Sequence, residues 1–333
     1  MPDLCVIPGD GIGREVIPPA VAVLQAVTPG LSVQPAEAGW ETFQRQGISV
    51  PPATLEIVRA CRAALFGAVS SPARRVVGYR SAILTLRQEL DLYANLRPVR
   101  SLPRVSPRPG VDLVVVRENT EGLYAGRERL EGDVAIAERV ITRRASLRIG
   151  RRAAQLMHST GRRRLTIVHK ANILPLSDGL FRDSVRQVVE EQRGPGDDWQ
   201  VDELLVDTAA FKIAAQPETL DVLVTTNLFG DILSDAAATW CGGMGLAASL
   251  NWGDEAALAE PVHGSAPDIA GQGIANPTAA ILSAALLLRY AWQMPERATR
   301  VEAAVAQAWA QDLDPAAPLR TETVTGAILA RLA

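Results

Sequence analysis

The chain has 333 residues, of which 47% are hydrophobic and 21% charged, and this is the composition of a globular protein long enough for about two domains. The formal net charge is −3 and no basic cluster is evident, which argues against a nucleic-acid-binding protein. Of the 34 basic residues only Lys170 and Lys212 are lysines. A lysine that persists against this arginine bias is a candidate for chemistry that a guanidinium cannot perform.

Cysteine usage and hydropathy bear on the compartment. Cys5, Cys61 and Cys241 are widely spaced and include no CxxC pair, which indicates a reducing compartment without a disulfide framework or a structural zinc site. The first residues lack the basic segment and apolar core of a signal peptide. The longest apolar stretch, residues 278–288, is too short to span a bilayer. We therefore expect a cytoplasmic protein without a membrane or nucleic-acid partner.

Short apolar runs alternate with segments of helical periodicity along most of the chain. The runs predict strands at residues 4–7, 64–66, 111–116, 165–168, 203–206 and 222–225. The periodic segments predict helices at residues 14–26, 53–61, 81–92, 146–157 and 179–191. Residues 101–110, with three prolines, predict a linker or crossover, and residues 194–197 a surface turn. The alternation is typical of an α/β fold that contains parallel sheet.

Two glycine-rich segments are candidate ligand loops. Gly9-Asp10-Gly11-Ile12-Gly13 follows the first predicted strand, where nucleotide-binding loops lie in α/β proteins. Its glycine spacing departs from the dinucleotide fingerprint, so a tight turn and a phosphate-binding loop both remain open. The second segment, His263-Gly-Ser-Ala-Pro-Asp268, has an unusual composition that suggests a ligand loop.

Three aspartates are candidate metal ligands. If Asp231 opens a helix, Asp235 lies one turn further on the same face, with the two Cβ atoms about 5–6 Å apart. Carboxylates so placed repel each other unless a cation lies between them, and Mg²⁺ or Mn²⁺ binds such oxygens. Asp207, after the strand predicted at 203–206, is the candidate third ligand. The alternative is an aspartate that caps a helix, followed by a solvated one.

Cationic side chains near the ends of predicted elements indicate a site for a polycarboxylate. Guanidinium groups bind carboxylates bidentately, so convergence of Arg87, Arg97 and Arg117 would form such a pocket. Lys170, at the end of a predicted strand, is a candidate general base, and Tyr124 is a candidate proton donor. In an arginine-rich chain the alternative for each is an ordinary surface residue.

Five longer segments resemble the β-decarboxylating dehydrogenase family, which includes isocitrate, homoisocitrate and 3-isopropylmalate dehydrogenases. They are Asp91-Leu-Tyr-Ala-Asn-Leu-Arg97-Pro, Arg117-Glu-Asn-Thr-Glu-Gly-Leu-Tyr124, His169-Lys-Ala-Asn172, Asn227-Leu-Phe-Gly-Asp-Ile-Leu-Ser-Asp235 and Glu260-Pro-Val-His-Gly-Ser-Ala-Pro-Asp268. The resemblance covers nearly the whole chain. It implies a two-domain α/β fold of the isopropylmalate/isocitrate dehydrogenase type, not a Rossmann fold. The first domain would comprise residues 1–98 and 253–333, and the second residues 99–252.

The resemblance also implies a homodimer with shared active sites, a tetramer remaining open, and a role for each motif residue. Tyr124 and Lys170 would be catalytic, and Mg²⁺ or Mn²⁺ would be held by Asp207, Asp231 and Asp235. The substrate would contact Ser71, Leu84, Arg87, Arg97, Arg117, Tyr124, Lys170 and Asn172. The cofactor would contact Ile12, Ser70, Asn172, Asn227, His263, Gly264, Ser265, Ala266, Asp268, Ile269 and Asn276. In the family the lysine and one aspartate come from the other subunit, here Lys170 and Asp207.

The implied reaction is an oxidative decarboxylation. Lys170 would assist removal of the hydroxyl proton while C2 of a 2-hydroxy acid gives hydride to the nicotinamide, and Tyr124 would protonate the enolate left by CO₂. The carboxylate of Asp268 can accept hydrogen bonds from ribose hydroxyls and would repel a 2′-phosphate, which favours NAD over NADP.

Two features indicate different substrates. The loop from Arg117 to Glu121 resembles the isocitrate and homoisocitrate branches, and the Ser70-Ser71-Pro72 connection resembles the homoisocitrate branch. Together they favour conversion of homoisocitrate to 2-oxoadipate in lysine biosynthesis, with isocitrate as a further substrate. Leu84 stands where that branch is expected to carry an arginine, so 3-isopropylmalate and leucine biosynthesis remain open. Tartrate and malate are further alternatives. An RNA-binding protein is disfavoured because only 5% of residues are aromatic. A catalytically inactive member is disfavoured because every catalytic position is filled.

Overall fold

The computed structural model describes residues 2–74 and 76–333, which divide into two compact units. Unit 1 contains the residues up to Leu92, Ser101–Pro109 and Ala238–Ala333, and unit 2 contains Tyr93–Arg100 and Gly110–Ala237. The domain boundaries expected from the sequence, 98/99 and 252/253, differ from these bounds. The proline-rich segment Ser101–Pro109 returns to unit 1, and the chain re-enters that unit at Ala238.

The described residues form twelve strands and eleven α-helices. The strands are β1 (Asp3–Gly9), β2 (Ser32–Pro35), β3 (Ala63–Ala68), β4 (Ala94–Arg100), β5 (Asp112–Glu118), β6 (Glu128–Glu131), β7 (Val134–Ala137), β8 (Arg164–His169), β9 (Gln200–Leu205), β10 (Val222–Thr225), β11 (Ala248–Trp252) and β12 (Ala257–Pro261). The helices are α1 (Gly13–Val27), α2 (Trp40–Gln46), α3 (Pro52–Cys61), α4 (Ala82–Glu89), α5 (Arg143–Thr160), α6 (Ser177–Gln192), α7 (Val206–Ala215), α8 (Asn227–Ala237), α9 (Thr278–Leu286), α10 (Pro295–Gln307) and α11 (Thr321–Ala330).

The strands of unit 1 follow the order β2-β1-β3-β12-β11, and all pairs are parallel except β11–β12. Every residue of β3 is buried, as expected for a strand covered on both faces. Helices α1 and α9 pack together against the sheet, and α1 buries residues at helical spacing, including Val16, Ala20 and Val23. On α3 and α4, Val58 and Leu86 join a second apolar cluster with Phe66 of β3.

The strands of unit 2 follow the order β4-β5-β10-β8-β9, with β4 antiparallel to β5 and the other pairs parallel. Helices α5 and α6 pack against each other and against the sheet, and α7 and α8 form a second helical pair. The side chain of Thr142 caps α5 by accepting a hydrogen bond from the N–H of Ala145. Strands β6 and β7 form a separate antiparallel hairpin whose residues are almost all exposed.

The α/β class and its parallel sheet are confirmed, and each predicted strand and helix has a counterpart in the structure. The predicted bounds differ from the observed ones by up to three residues, and two predicted elements extend too far at their C-terminal ends. Helix α4 ends at Glu89 instead of residue 92, because the chain turns at Asp91, which has a φ of 47°. Strand β9 ends at Leu205, and Val206 is the first residue of α7. In the part of the chain that the structure describes, no helix is both long and apolar enough to traverse a bilayer.

Candidate active site

Two arginines from neighbouring strands of unit 2 meet two aspartates of α8. Arg117 on β5 lies opposite Asn95 on β4, and Arg97 is two residues beyond Asn95, so both arginines point to the same face of the sheet. The guanidinium groups of both arginines contact the carboxylates of Asp231 and Asp235. Arg97 Nη1 donates to Asp235 Oδ1 at 2.5 Å, and its Nη2 lies 3.5 Å from Asp231 Oδ1, which is also paired with Arg117. The sequence-based expectation that Asp231 and Asp235 share a helix face is confirmed.

Asp231 does not open α8, since the helix begins four residues earlier at Asn227. The alternative of a capping aspartate is therefore wrong. Both carboxylates keep part of their surface exposed, 29% for the side chain of Asp231 and 49% for that of Asp235. Two partly exposed carboxylates one turn apart are a suitable pair of ligands for a hard divalent cation.

Arg117 is almost completely buried, with 1% of its surface exposed, and Asn227 holds its guanidinium. The Nε and Nη2 atoms of Arg117 donate to Asn227 Oδ1 at 3.0 and 2.7 Å. The amide nitrogen of Asn227 donates to the backbone oxygen of Glu121 at 3.1 Å. The side chain of Asn227 thus orients Arg117, a role that the sequence did not indicate, and its predicted contact with the cofactor stays a prediction.

A glycine sets the distance between α8 and Arg117. A Cβ atom added to Gly230 would lie 2.6 Å from Cγ and 2.7 Å from Cβ of Arg117, which is closer than real Cβ atoms approach. Gly230 is buried within α8. Only glycine lets the helix lie this close to the strand that carries Arg117.

Tyr124 joins the same cluster. It lies in a short 3₁₀ turn, Leu123–Ala125, and its hydroxyl donates to Asp231 Oδ2 at 2.5 Å. The guanidinium carbon of Arg117 lies 5.1 Å from the centroid of the phenol ring. Burial, with the hydrogen bond and charge of Asp231, raises the pKa of Tyr124 above its ordinary value. The phenol therefore remains protonated at neutral pH, as a proton donor must.

Lys170 and Asp207 form a second polar pair in unit 2. Lys170 follows β8, Asp207 lies in the first turn of α7, and Lys170 Nζ donates to Asp207 Oδ1 at 2.6 Å. The hydrogen bond from Lys170 lowers the pKa of Asp207. The backbone N–H of Lys170 donates to Asp178, which is fully buried, at 2.6 Å. Asn172 is exposed two residues further on.

The structure does not bring Asp207 together with Asp231 and Asp235. Within the described ranges of this single chain, no three acidic, histidine or cysteine side chains are grouped as a metal site would require. The third ligand, and its origin in another subunit, remain predictions.

In unit 1, Arg87 is held by a carboxylate that the sequence reading missed. Arg87 Nη2 donates to Glu260 Oε1 at 3.0 Å, and Asn251 Nδ2 donates to the same oxygen at 2.7 Å. Arg87 and Glu260 are both largely buried. Glu260 is the first residue of the segment Glu260–Asp268 that resembles the family, and this place in a family motif could have marked it as a site residue. Leu84 is half-buried one turn before Arg87 on α4, and Ser71 is exposed.

The loop from Gly9 to Gly13 is a tight turn packed against the second glycine-rich loop. The N–H groups of Asp10 and Ile12 donate to the backbone oxygens of Ala68 and Ser265, both at 2.9 Å. A Cβ atom at Gly11 would lie 2.2 Å from the Ser265 oxygen. Because these amides are already bonded, the phosphate-binding interpretation gains no support, and Ile12, which is buried, remains only a predicted cofactor contact.

The second loop presents groups that fit a nucleotide. His263 Nδ1 lies 2.9 Å from the oxygen of Gly264, whereas its Nε2 is buried and has no hydrogen-bond partner among the described residues. Burial lowers the pKa of His263, so the imidazole is neutral and Nε2 can accept. Asp268 is exposed, and Asn276 Oδ1 accepts from the N–H of Thr278 at the start of α9. Ser265 is buried, Gly264 is exposed, and Ala266 and Ile269 are half-buried.

Comparison with known proteins identifies the family. The family model described as isocitrate/isopropylmalate dehydrogenase matches residues 3–325. The chain belongs to the isocitrate/isopropylmalate dehydrogenase family. It is 56% identical over 302 residues to an isocitrate/homoisocitrate dehydrogenase of Thermus thermophilus, covering 91% of this chain and 89% of the relative.

Two further matches carry other substrates in their names. A 3-isopropylmalate/3-methylmalate dehydrogenase of Methanocaldococcus jannaschii is 47% identical, covering 94% of this chain and 92% of the relative. The crystal structure of isocitrate dehydrogenase from Methylococcus capsulatus superposes with a TM-score of 0.93 at 42% identity, covering 100% of this chain and 99% of that one. The expected fold type is confirmed.

Members of the isocitrate/isopropylmalate dehydrogenase family are oxidative decarboxylases that act on small hydroxy acids with a nicotinamide cofactor and a divalent metal ion. This chain is therefore a β-decarboxylating hydroxy-acid dehydrogenase. The carboxylates of α8 are chemically suited to the metal ion, and the acceptor atom of His263 and the adjoining loop are suited to the nucleotide.

Proposed function

We propose that the protein catalyses the NAD-dependent oxidative decarboxylation of homoisocitrate to 2-oxoadipate, with isocitrate as a second substrate. The observation that carries the proposal is the cluster of Arg97, Arg117 and Tyr124 around Asp231 and Asp235 in unit 2. It combines cations for substrate carboxylates, ligands for a divalent ion and a protonated acid in one place.

The side chains of the cluster and Lys170 have distinct tasks in this proposal. Arg97 and Arg117 bind and orient the carboxylates of the substrate, and burial of Arg117 strengthens its attraction to a carboxylate. Lys170 accepts the hydroxyl proton through Nζ, while Tyr124 holds the proton that its hydroxyl later delivers to carbon. A bound divalent ion would supply Lewis-acid polarisation of the substrate oxygens, and a bound nicotinamide would supply the hydride acceptor.

The metal ligands and the base are proposed to come from two subunits. Asp231 and Asp235 would be completed by Asp207 of the partner subunit, with Lys170 arriving beside it. The exposed hairpin β6–β7 supports a homodimer, because Leu130 and Val134 are 73% and 58% exposed. Apolar side chains this exposed on a hairpin favour pairing with a second copy of the chain. We also propose a cytoplasmic location, from the widely spaced cysteines, and no membrane or nucleic-acid partner, from the net charge of −3 and the ordinary globular composition.

NAD is proposed as the cofactor because of the carboxylate of Asp268. Its exposed side chain can accept hydrogen bonds from ribose hydroxyls, and its charge would repel the 2′-phosphate of NADP. Ser70, Gly264, Ala266, Ile269 and the other loop residues named from the sequence would complete this side, and Asn172 would lie near the nicotinamide.

One observation favours 3-isopropylmalate as an alternative substrate. Leu84 offers an apolar, half-buried side chain one turn before Arg87, where an isopropyl group would be preferred over a distal carboxylate. Homoisocitrate is favoured because the Arg117–Glu121 loop resembles that branch and because the Thermus thermophilus relative carries homoisocitrate in its name.

The experiment is NADH formation with Mg²⁺ on homoisocitrate, isocitrate, 3-isopropylmalate and tartrate in parallel, with NADP and EDTA as further arms. We expect turnover of homoisocitrate and isocitrate, NAD preferred over NADP, and loss of activity with EDTA. Absence of turnover on all four acids would refute the proposal. A clear preference for 3-isopropylmalate would contradict homoisocitrate as the substrate and favour the alternative that Leu84 indicates.

A further inference from the structure

The carboxylate of Asp10 connects three segments of unit 1. Asp10 is 1% exposed and follows β1 within the first glycine-rich loop. Its oxygens accept hydrogen bonds from the N–H groups of Trp40 at 2.8 Å, Glu41 at 3.0 Å and Ser70 at 2.9 Å. The first two N–H groups belong to the first turn of α2, so Asp10 caps that helix and holds Ser70 at the same time.

The approach of α2 to Asp10 depends on Gly39. This glycine has a φ of 136°, and a Cβ atom there would lie 2.7 Å from both carboxylate oxygens of Asp10. The local backbone is therefore built around the carboxylate. All three hydrogen bonds to Asp10 come from within the protein, which indicates that its task is to hold the backbone in place.

Ser70 is held on its other sides as well. Its backbone oxygen accepts from the hydroxyl of Tyr79 at 3.1 Å, and its own hydroxyl donates to Ser265 Oγ at 2.8 Å. Burial and the charge of Asp10 raise the pKa of Tyr79, so the phenol remains a donor. Both backbone groups of Ser70 are thus fixed by side chains, the N–H by Asp10, 60 residues away in the sequence, and the oxygen by Tyr79, nine residues away.

Tyr79 is fixed in turn by the helix that Asp10 caps. Its ring packs edge-on against Trp40 and Phe43 of α2, with centroid distances of 5.0 and 5.1 Å. Next to it, Ser49 Oγ donates to the backbone oxygen of Arg80 at 2.6 Å, just before α4 begins. The contacts therefore form a ring: Asp10 binds α2 and Ser70, and Tyr79 contacts both α2 and Ser70.

We propose that Asp10 and Tyr79 are positioning residues that clamp Ser70 from both sides and so place Ser71 and α4 for the substrate. The proposal rests on the proposed function, in which Ser71 and, on α4, Leu84 and Arg87 contact the hydroxy acid. Neither clamp residue touches a reacting atom. Their effect is to hold Ser70, Ser71 and the start of α4 in position before the substrate arrives, which lowers the entropic cost of binding.

The test uses Tyr79→Phe, which removes one hydroxyl and keeps the ring in its aromatic cluster. The matched control is Tyr290→Phe, a tyrosine of unit 1 whose ring packs against Trp252. Loss of the hydrogen bond from Tyr79 to the backbone oxygen of Ser70 should raise KM for the hydroxy acid about three- to tenfold, while kcat changes less than KM. The control should leave both constants unchanged.

Hydrogen exchange of the Ser70 amide gives a readout that does not depend on activity. Asp10→Asn replaces one acceptor oxygen by a donor, so the amides of Ser70, Trp40 and Glu41 should all exchange faster than in the native chain. Tyr79→Phe should accelerate Ser70 and leave Glu41 unchanged. Because Tyr79→Phe is mild, the test survives if Asp10→Asn fails to fold.

Unchanged KM together with unchanged exchange at Ser70 in Tyr79→Phe would overturn the clamp. An equal rise of KM in the Tyr290→Phe control would overturn it as well, because the effect would then be general. If the native protein turns over none of the acids, the proposed function fails, and exchange at Ser70 decides by itself whether the clamp exists.

Discussion

Replacement of Gly230 by alanine tests how closely α8 must approach Arg117. The new Cβ would lie 2.7 Å from Cβ of Arg117, an atom fixed by the backbone of β5, so the helix or the strand has to move. Overpacking of this kind costs about 1–3 kcal/mol, and the better helix propensity of alanine returns roughly 0.8–1 kcal/mol. We expect Gly230→Ala to lose about 1 kcal/mol of unfolding free energy.

The matched control is Gly326→Ala in α11, where nothing lies within 4 Å of the added Cβ. With no clash to offset it, this change should stabilise the chain by about 0.5–1 kcal/mol. The thermal unfolding midpoint, Tm, should therefore be higher in Gly326→Ala than in the native protein and lower in Gly230→Ala. Displacement of Asp231 from Arg117 should also lower kcat/KM at least about tenfold in Gly230→Ala, since small misplacements of catalytic groups are costly. If both variants unfold and turn over alike, the close approach described for α8 is incorrect.

Three further predictions concern the base, the substrate and a buried acid. Lys170→Arg keeps a cation beside Asp207 but removes the base, so NADH formation should fall on the order of 10²–10⁴-fold; near-native turnover would contradict the role of Lys170. Leu84→Arg should raise the ratio of kcat/KM for homoisocitrate to kcat/KM for 3-isopropylmalate at least about tenfold. An unchanged ratio would contradict a contact between Leu84 and the substrate. Burial raises the pKa of Glu118, so the folded state holds this proton more tightly than the unfolded state. Between the unfolded pKa and the raised folded pKa, this group makes stability fall as pH rises, and denaturant midpoints in Glu118→Gln should show a smaller fall.

Repeating local patterns were sufficient to predict the main elements. The β1, β3, β5, β8 and β10 strands are apolar runs, so they were predicted from hydropathy. Strand β4 was not, because Asn95, Arg97 and Pro98 interrupt its apolar pattern, and its place depends on pairing with β5. The exposed hairpin β6–β7 buries too little apolar surface to leave a pattern in the sequence.

The sequence motifs contain the residues of the cluster in unit 2 but do not indicate which partners those residues contact. The spacing of Asp231 and Asp235 predicted that they share one face of a helix, because residues four positions apart lie on the same face. The pairing of Arg87 with Glu260 joins residues 173 positions apart, and no local pattern specifies such a contact. The same holds for Asp10, whose place in a glycine-rich loop suggested a ligand, whereas its carboxylate binds the backbone of two other segments.

The claim that each active site is assembled from two subunits is tested most directly by mixing two inactive variants. Lys170→Ala and Asp231→Asn should each lack activity as a pure protein, while a mixed dimer contains one intact site formed by Asp231 of one subunit and Lys170 of the other. After unfolding and refolding of an equimolar mixture, random pairing predicts recovery of roughly a quarter of the native rate of NADH formation from homoisocitrate. No recovery, with mixed dimers shown to be present, would contradict shared active sites.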